Sequence, residues 1–250
     1  MTKRPRALLL ILPPILAILV SRCAAAHRPV TVSPVPERPT GFTAEYRLTW
    51  TDGRRARSAR LAVAYRAPQR MRLEVLDPLG ASRAVLSATE AGAILLDPVG
   101  REFRAYGEAP NAVRDLAGFS LDADLLAALL LGDPARAPQL ACRAGGEGSG
   151  LEKVCEGSGG DPFVRLRGDG MTWEIAPPAG PLLRIEMEAA GGSAGGVPER
   201  IRVRGGSPEV TVELRLRELR FVEPPEDLFS LLPPASFRDS SEDPPRPVFW

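Results

Sequence analysis

Histidine and cysteine are the side chains most often used for chemistry near neutral pH. This chain has one histidine, His27, and three cysteines, Cys23, Cys142 and Cys155. His27 stands in a stretch holding Pro29, Pro34, Pro36 and Pro39, so a Ser-His-Asp or Cys-His site cannot be assembled inside a folded domain. No Cys/His cluster has zinc spacing, and we expect no metal ligand. There is no Walker loop, and no G-x-G-x-x-G stands between a strand and a helix. Aspartates and glutamates alternate along strand-like runs or sit in turns, where solvated carboxylates belong, and nothing marks a glycosidase-type pair. We therefore expect a protein that is not an enzyme, with no catalytic residue and no cofactor. The cysteines leave two chemistries, oxidation to a disulfide and modification at an exported N-terminus.

Export is written in the first 26 residues. Lys3, Arg4 and Arg6 form a basic segment, and Ala7 to Val20 is an apolar run interrupted by Pro13-Pro14. It is shorter than the roughly 20 residues a spanning helix needs, so it reads as a signal peptide. Two cleavage sites stay open. Leu19-Val20-Ser21-Arg22-Cys23 resembles a bacterial lipobox, in which Cys23 would be lipidated, although Arg22 stands where a small residue is usual. Cleavage after Ala24-Ala25-Ala26 is the alternative. Three cysteines in an exported chain leave one over, and lipidation of Cys23 makes Cys142 and Cys155 a pair that an oxidising compartment would bridge. The expected organisation is a signal peptide over 1–26, a Pro-rich tether over 27–40, one folded domain over 41–237, and a polar, disordered tail over 238–250.

The domain reads as antiparallel β structure. Phe42, Ala44, Tyr46, Leu48 and Trp50 alternate with polar residues, as do Leu61, Val63 and Tyr65, and then Met71, Leu73 and Val75. Asp52-Gly53 signals a hairpin. The pattern returns at Met171 to Ile175, Leu183 to Met187, Ile201 to Val203 and Val210 to Phe221, with a phase change that predicts a bulge near Arg217-Glu218. About eleven strands, without β-α-β alternation, predict a meandering sheet solvated on one face. The net charge of +1 supplies no global field, and each arginine-rich strand face carries Glu or Asp nearby, so no nucleic-acid partner is expected. We expect a monomer.

From Arg70 to Pro134, short strands are divided by two turns, Asp77-Pro78-Leu79-Gly80 and Asp97-Pro98-Val99-Gly100. Asp-Pro-x-Gly is turn chemistry, and it places Leu79 at a tip where a polar residue is usual. Two helices follow. The first, Asn111 to Ala117, stops at Gly118, and the second carries Leu121, Leu125, Leu126, Leu129, Leu130 and Leu131, with Ser120 as its expected cap. Past Asp124 the second helix is apolar nearly all round. It is either a plain core helix in the concavity of the sheet or a lid over a cavity for acyl chains. A third helical segment is expected in the acidic turn Pro225 to Leu232.

The succession of Met71–Leu76, Pro78-Leu79-Gly80, Val85–Arg104, the short helix and the Leu-rich helix resembles the LolA/LolB family of lipoprotein carriers and receptors, closer to the LolB branch. Weaker similarity runs through Met171-Thr172-Trp173-Glu174 to Val222, and Pro225 to Pro234 looks more like the carrier branch. The resemblance implies a strongly curved antiparallel sheet, an incomplete β-barrel, with an apolar hollow and a helical lid. Leu121, Leu125, Leu126, Leu129 and Leu130 would form the lid, and Leu73 and Val75 the wall. It implies lipoprotein acyl chains or other lipids as ligands, with a periplasmic carrier protein as the hand-over partner. It further implies an anchor at Cys23 on the periplasmic face of the outer membrane, and Leu79 as the residue that enters lipid. A soluble carrier and a non-catalytic structural envelope protein are the alternatives.

Overall fold

Residues that alternate in polarity bury one face by pairing side by side, and here one sheet gathers them all. The computed structural model describes residues 31–32, 40–51, 55–137, 140–144, 151–157, 163–167, 171–176, 181–189, 196–205 and 210–243. The expected signal peptide, Cys23, His27, most of the Pro-rich stretch and the expected Asp52-Gly53 turn lie outside the described residues. In chain order come β1 (Thr31–Val32), β2 (Gly41–Thr51), β3 (Ala56–Arg66), β4 (Arg70–Leu76), β5 (Ser82–Thr89), β6 (Gly92–Asp97) and β7 (Glu102–Tyr106). Helices α1 (Ala109–Ala117) and α2 (Ala123–Leu130) follow, then β8 (Leu140–Ala144), β9 (Leu151–Gly157) and β10 (Phe163–Arg167). The chain continues through β11 (Thr172–Ala176), β12 (Leu183–Ala189), β13 (Pro198–Gly205), β14 (Val210–Arg220) and β15 (Arg238–Asp239).

The sheet order is β15-β7-β6-β5-β4-β3-β2-β14-β13-β12-β11-β10-β9-β8, with β1 beside β14. Every pairing is antiparallel except β1–β14 and β15–β7. The sheet is large, curved and open rather than a closed barrel. Its apolar face is continuous across strands: Leu166, Trp173, Ile185, Val203, Val212 and Trp50 stand in one row of cross-strand partners. The expected bulge falls at Arg217, where the β14–β2 register shifts between Leu216 and Glu218.

Helix α1 packs on β5, β6 and β7, and α2 meets β4, so both lie on the apolar face. Gly118 ends α1 in the left-handed region (φ 85°), a conformation that favours glycine. Asp122, rather than Ser120, caps α2, its Oδ1 accepting from the Leu125 amide at 2.7 Å. Ser120 is drawn away because its hydroxyl donates to the Pro110 carbonyl at 3.1 Å.

Three expectations of extent change. Among the described residues there are fifteen strands, not eleven. Those with the least alternation in sequence are β8 to β10 beside the Gly-rich stretch, where two weak strands pinned by the Cys142–Cys155 pair are expected, and the two-residue β1 and β15. The Pro-rich stretch is not wholly a tether, since Thr31–Val32 joins β14. The tail does not begin at Arg238. The amides of Arg238 and Ser240 donate to the Arg101 and Phe103 carbonyls, so the segment becomes the last strand on β7, and Ser240 is buried. Backbone pairing needs no side-chain pattern, which is why a polar sequence gave no sign of it.

The C-terminal segment before β15 crosses the outer face. Its 3-10 turn, Glu226–Phe229, buries Phe229, whose carbonyl accepts from the Ser87 hydroxyl at 2.6 Å. Further along that face, Glu213 accepts from Arg200 (2.8 Å), Arg215 (2.8 Å) and Arg202 (3.2 Å). Desolvation pushes this carboxyl up, but the three arginine hydrogen bonds outweigh it and hold it at about 2. A depressed carboxyl stabilises the fold above its unfolded value and loses that contribution as pH falls through the folded one. We expect chemical denaturation to show about 1–2 kcal/mol less stability near pH 2 than near pH 6 from this group, after allowance for solvent screening. Glu213→Gln should flatten that part of the profile; an unchanged slope would discount the cluster.

Candidate functional site

The Asp-Pro-x-Gly turns close hairpins β4–β5 and β6–β7. In consecutive antiparallel strands, alternate hairpin turns lie at the same end, so both tips project together. In the first, Asp77 Oδ1 accepts from the Leu79 and Ala81 amides, both at 2.9 Å. Its Oδ2 binds Arg83 at 2.8 Å. The Ala81 amide most of all, then Arg83 and the Leu79 amide, hold the Asp77 carboxyl below its ordinary range against a desolvation effect of opposite sign. Gly80 supplies φ 91°. The outcome is a stiff turn that presents Leu79 at 96% exposure. The second tip repeats the device: Asp97 Oδ1 accepts from the Val99 and Gly100 amides at 2.9 Å each, and Val99 is 61% exposed.

An open cavity of about 350 Å³ lies at this end, bordered by both turns. Its wall is apolar, with Leu48, Trp50, Ala59, Val75 and Val99, and Arg57 and Arg83 also line it. The volume is near the low end of ligand pockets, about 300–1,000 Å³, and suits one slender apolar chain rather than three.

The residues expected to form the lid and the wall lie together. Leu73, Leu121, Leu125, Leu126, Leu129 and Leu130 are all buried in one continuous core with the inward face of the sheet. Val75 belongs to that core and also reaches the open cavity. Sequence reasoning gave no role to Trp50, Arg57, Arg83 or Val99. The repeated turn motif was the signal that could have found Val99. Trp50, Arg57 and Arg83 come together only through the cross-strand register.

Helix α2 is fastened at its N-terminus. Asp124 is buried, and its Oδ1 accepts from the Tyr65 hydroxyl at 2.7 Å and from the Gln69 amide at 2.8 Å. Burial, and then this hydrogen bond, push the Tyr65 phenol far above its ordinary range. Tyr46 on β2 is fully buried, with no hydrogen-bond partner for its hydroxyl among the described residues, and burial raises its phenol too. Cys142 and Cys155 face each other across β8 and β9 and are bridged, at an S–S distance of 2.09 Å. Among the described residues, no group of three or more His, Cys, Asp or Glu could hold a metal ion, and no helix is long and apolar enough to cross a membrane.

No family model and no curated protein matches this sequence. Solved structures do resemble the fold. A DUF1329 family protein from Desulfovibrio piger aligns with a TM-score of 0.50 at 10% identity, over 77% of this chain and 90% of that one. A protein domain described with outer membrane lipoprotein sorting, from Vibrio parahaemolyticus, gives 0.48 at 11% identity, over 76% and 88%. A LolA superfamily protein from Nitrosomonas europaea gives 0.46 at 11% identity, over 78% and 91%. At these identities the likeness concerns the fold alone. It does not separate the LolB branch, which the sequence resembles more closely, from the LolA branch.

Proposed function

We propose that this chain is a lipid-anchored envelope protein that takes up lipoprotein acyl chains and hands them to the outer membrane. Cys23 supplies the anchor, and a periplasmic carrier supplies the cargo. The LolA/LolB resemblance motivates the reading, and one observation carries it: an apolar side chain held out in water by a braced turn. Burying a leucine side chain gains about 1.5–3 kcal/mol, so a stiff turn that leaves Leu79 wet forgoes that gain within the fold and reserves it for a lipid phase. The apolar cavity beside the tip offers the first shelter to a chain leaving water. Each exposed CH₂ costs about 0.8 kcal/mol, and a triacyl cargo needs more room than this cavity has. Full uptake therefore requires α2 to lift off the sheet. An ester carbonyl from the cargo would then meet the unpaired Tyr46 hydroxyl.

The test is transfer of a fluorescent triacyl lipopeptide from the full chain to vesicles. Leu79→Glu should slow delivery about tenfold or more while stability stays within about 0.5 kcal/mol, as for other exposed positions. Delivery at the normal rate by that variant would overturn the reading. The complete burial of α2 favours a second reading, a structural envelope protein whose helix is ordinary core. That reading predicts no uptake of lipopeptide at any concentration.

A further inference from the structure

The chain has three tyrosines, and two of them have carboxylate partners. The Tyr65 hydroxyl donates to Asp124 at 2.7 Å and the Tyr106 hydroxyl to Asp115 at 2.8 Å. The third, Tyr46, is fully buried, and its hydroxyl has no partner among the described residues. A buried hydroxyl left unbonded costs free energy that phenylalanine at the same position would avoid. A ligand that brings its own acceptor explains such an orphan.

The place of Tyr46 in the sheet is a second, independent observation. Tyr46, Leu48 and Trp50 are buried at alternate positions of β2 and so share its inward face, and Leu48 and Trp50 line the open cavity. Tyr46 stands two residues, about 7 Å, deeper along the strand. Across the sheet its row reads Leu216, Tyr46, Leu61 and Val75, and Val75 is again part of the cavity wall. Leu48 and Ala59, cross-strand partners in the next row, line the cavity too. Tyr46 is therefore one step behind the wall in both directions, past Leu48 along the strand and past Leu61 along the row. Both leucines are held by apolar packing, which is non-directional and can re-form around a ligand.

We propose that the open cavity, with Tyr46 as its innermost group, is a slot for one acyl chain bearing a neutral carbonyl, which accepts a hydrogen bond from the Tyr46 hydroxyl. Size sets the single chain, since the cavity holds about 350 Å³. Chemistry sets the neutral carbonyl. An ionised carboxylate at this depth would need a paired charge, and the row around Tyr46 is leucine and valine. An ester, an amide or a ketone meets the requirement, whether it belongs to lipoprotein cargo or to a free single-chain lipid. Plain hydrocarbon fills the slot but leaves the donor unbonded. The inference deepens the proposed function and rests on it for acyl chains as the ligand.

The experiment uses the full chain carrying Cys23→Ser, so that no attached acyl chain competes. The probes are the positional isomers of decanone, with decane as the control that lacks a carbonyl. Headspace gas chromatography reads the free concentration of each. The isomers share size and polarity, so a difference among them reports where the donor stands. One isomer should bind about tenfold more tightly than the weakest, and Tyr46→Phe should level the isomers to within about twofold while decane binds as before. The midpoint of denaturation of Tyr46→Phe should be unchanged or higher. A lower midpoint would show that the hydroxyl is bonded within the fold and would overturn the proposal. Equal binding of the isomers to the unsubstituted Tyr46 chain, binding of none, or a parallel loss for ketones and decane in Tyr46→Phe would overturn it as well. Uptake of triacyl lipopeptide by the same chain separates the two claims. Isomer selectivity without lipopeptide uptake overturns the carrier function and supports a slot for free single-chain lipids. Lipopeptide uptake without isomer selectivity overturns the slot and leaves the carrier function standing.

Discussion

Truncating Leu129 to alanine lowers the free energy of unfolding by about 3–5 kcal/mol. Leu129 is fully inaccessible, and so nearly are Leu125 and Leu130 beside it on α2. The helix is packed on every side, so removing three carbons deletes contacts that no neighbour can replace without moving the sheet. The cost therefore joins a transfer part to a cavity part, at the upper end of what leucine truncation does. Leu79→Ala is the matched control: the same chemical change on a residue exposed at 96% should cost less than about 0.5 kcal/mol. Denaturant titration of the two variants reads the contrast directly. A loss below about 1 kcal/mol for Leu129→Ala would mean that α2 sits loosely on the sheet, contrary to its burial.

That contrast also marks what the amino-acid sequence shows and what it hides. The strands around Tyr46, Val63, Leu73, Leu214 and Ile201 were visible because one buried face and one wet face impose period 2 on the chain. The bulge at Arg217 was visible because an extra residue shifts that period by one. Leu79 was visible because Asp-Pro-x-Gly dictates a turn whatever surrounds it. The cavity wall was not, since Trp50, Arg57, Val75 and Val99 belong to four separate segments that only the register of β2, β3 and β4 and the curl of the sheet bring together. Nor was the Asp124 bond to Tyr65, which joins residues 59 apart. Asp124 reads as an ordinary acidic residue in a first helical turn, where an exposed carboxyl suits the positive end of the helix. Its burial is a tertiary fact.

That buried carboxyl distinguishes a lid from a core helix. We expect Asp124→Ala to orphan two donors at once, the Tyr65 hydroxyl and the Gln69 amide, at about 1–3 kcal/mol each before relaxation and about 2–4 kcal/mol in all. If α2 is a lid, the loss is local. Hydrogen exchange accelerates across Ala123–Leu130 while the sheet amides of β2 and β14 keep their protection, and lipopeptide uptake becomes faster. If α2 is ordinary core, the same energy appears as a uniform loss in every strand and uptake does not improve. Tyr65→Phe grades the effect, because it keeps the Gln69 contact and removes one partner, and should cost about half as much. The two outcomes differ for a physical reason. The helix is tied to the sheet by apolar packing, which is non-directional and can re-form around acyl chains, and by the two directional bonds that Asp124 accepts, which cannot. An apolar helix held shut at one end by a single polar clasp opens when that clasp is released, provided that the cargo offers the same apolar surroundings that α2 gives up.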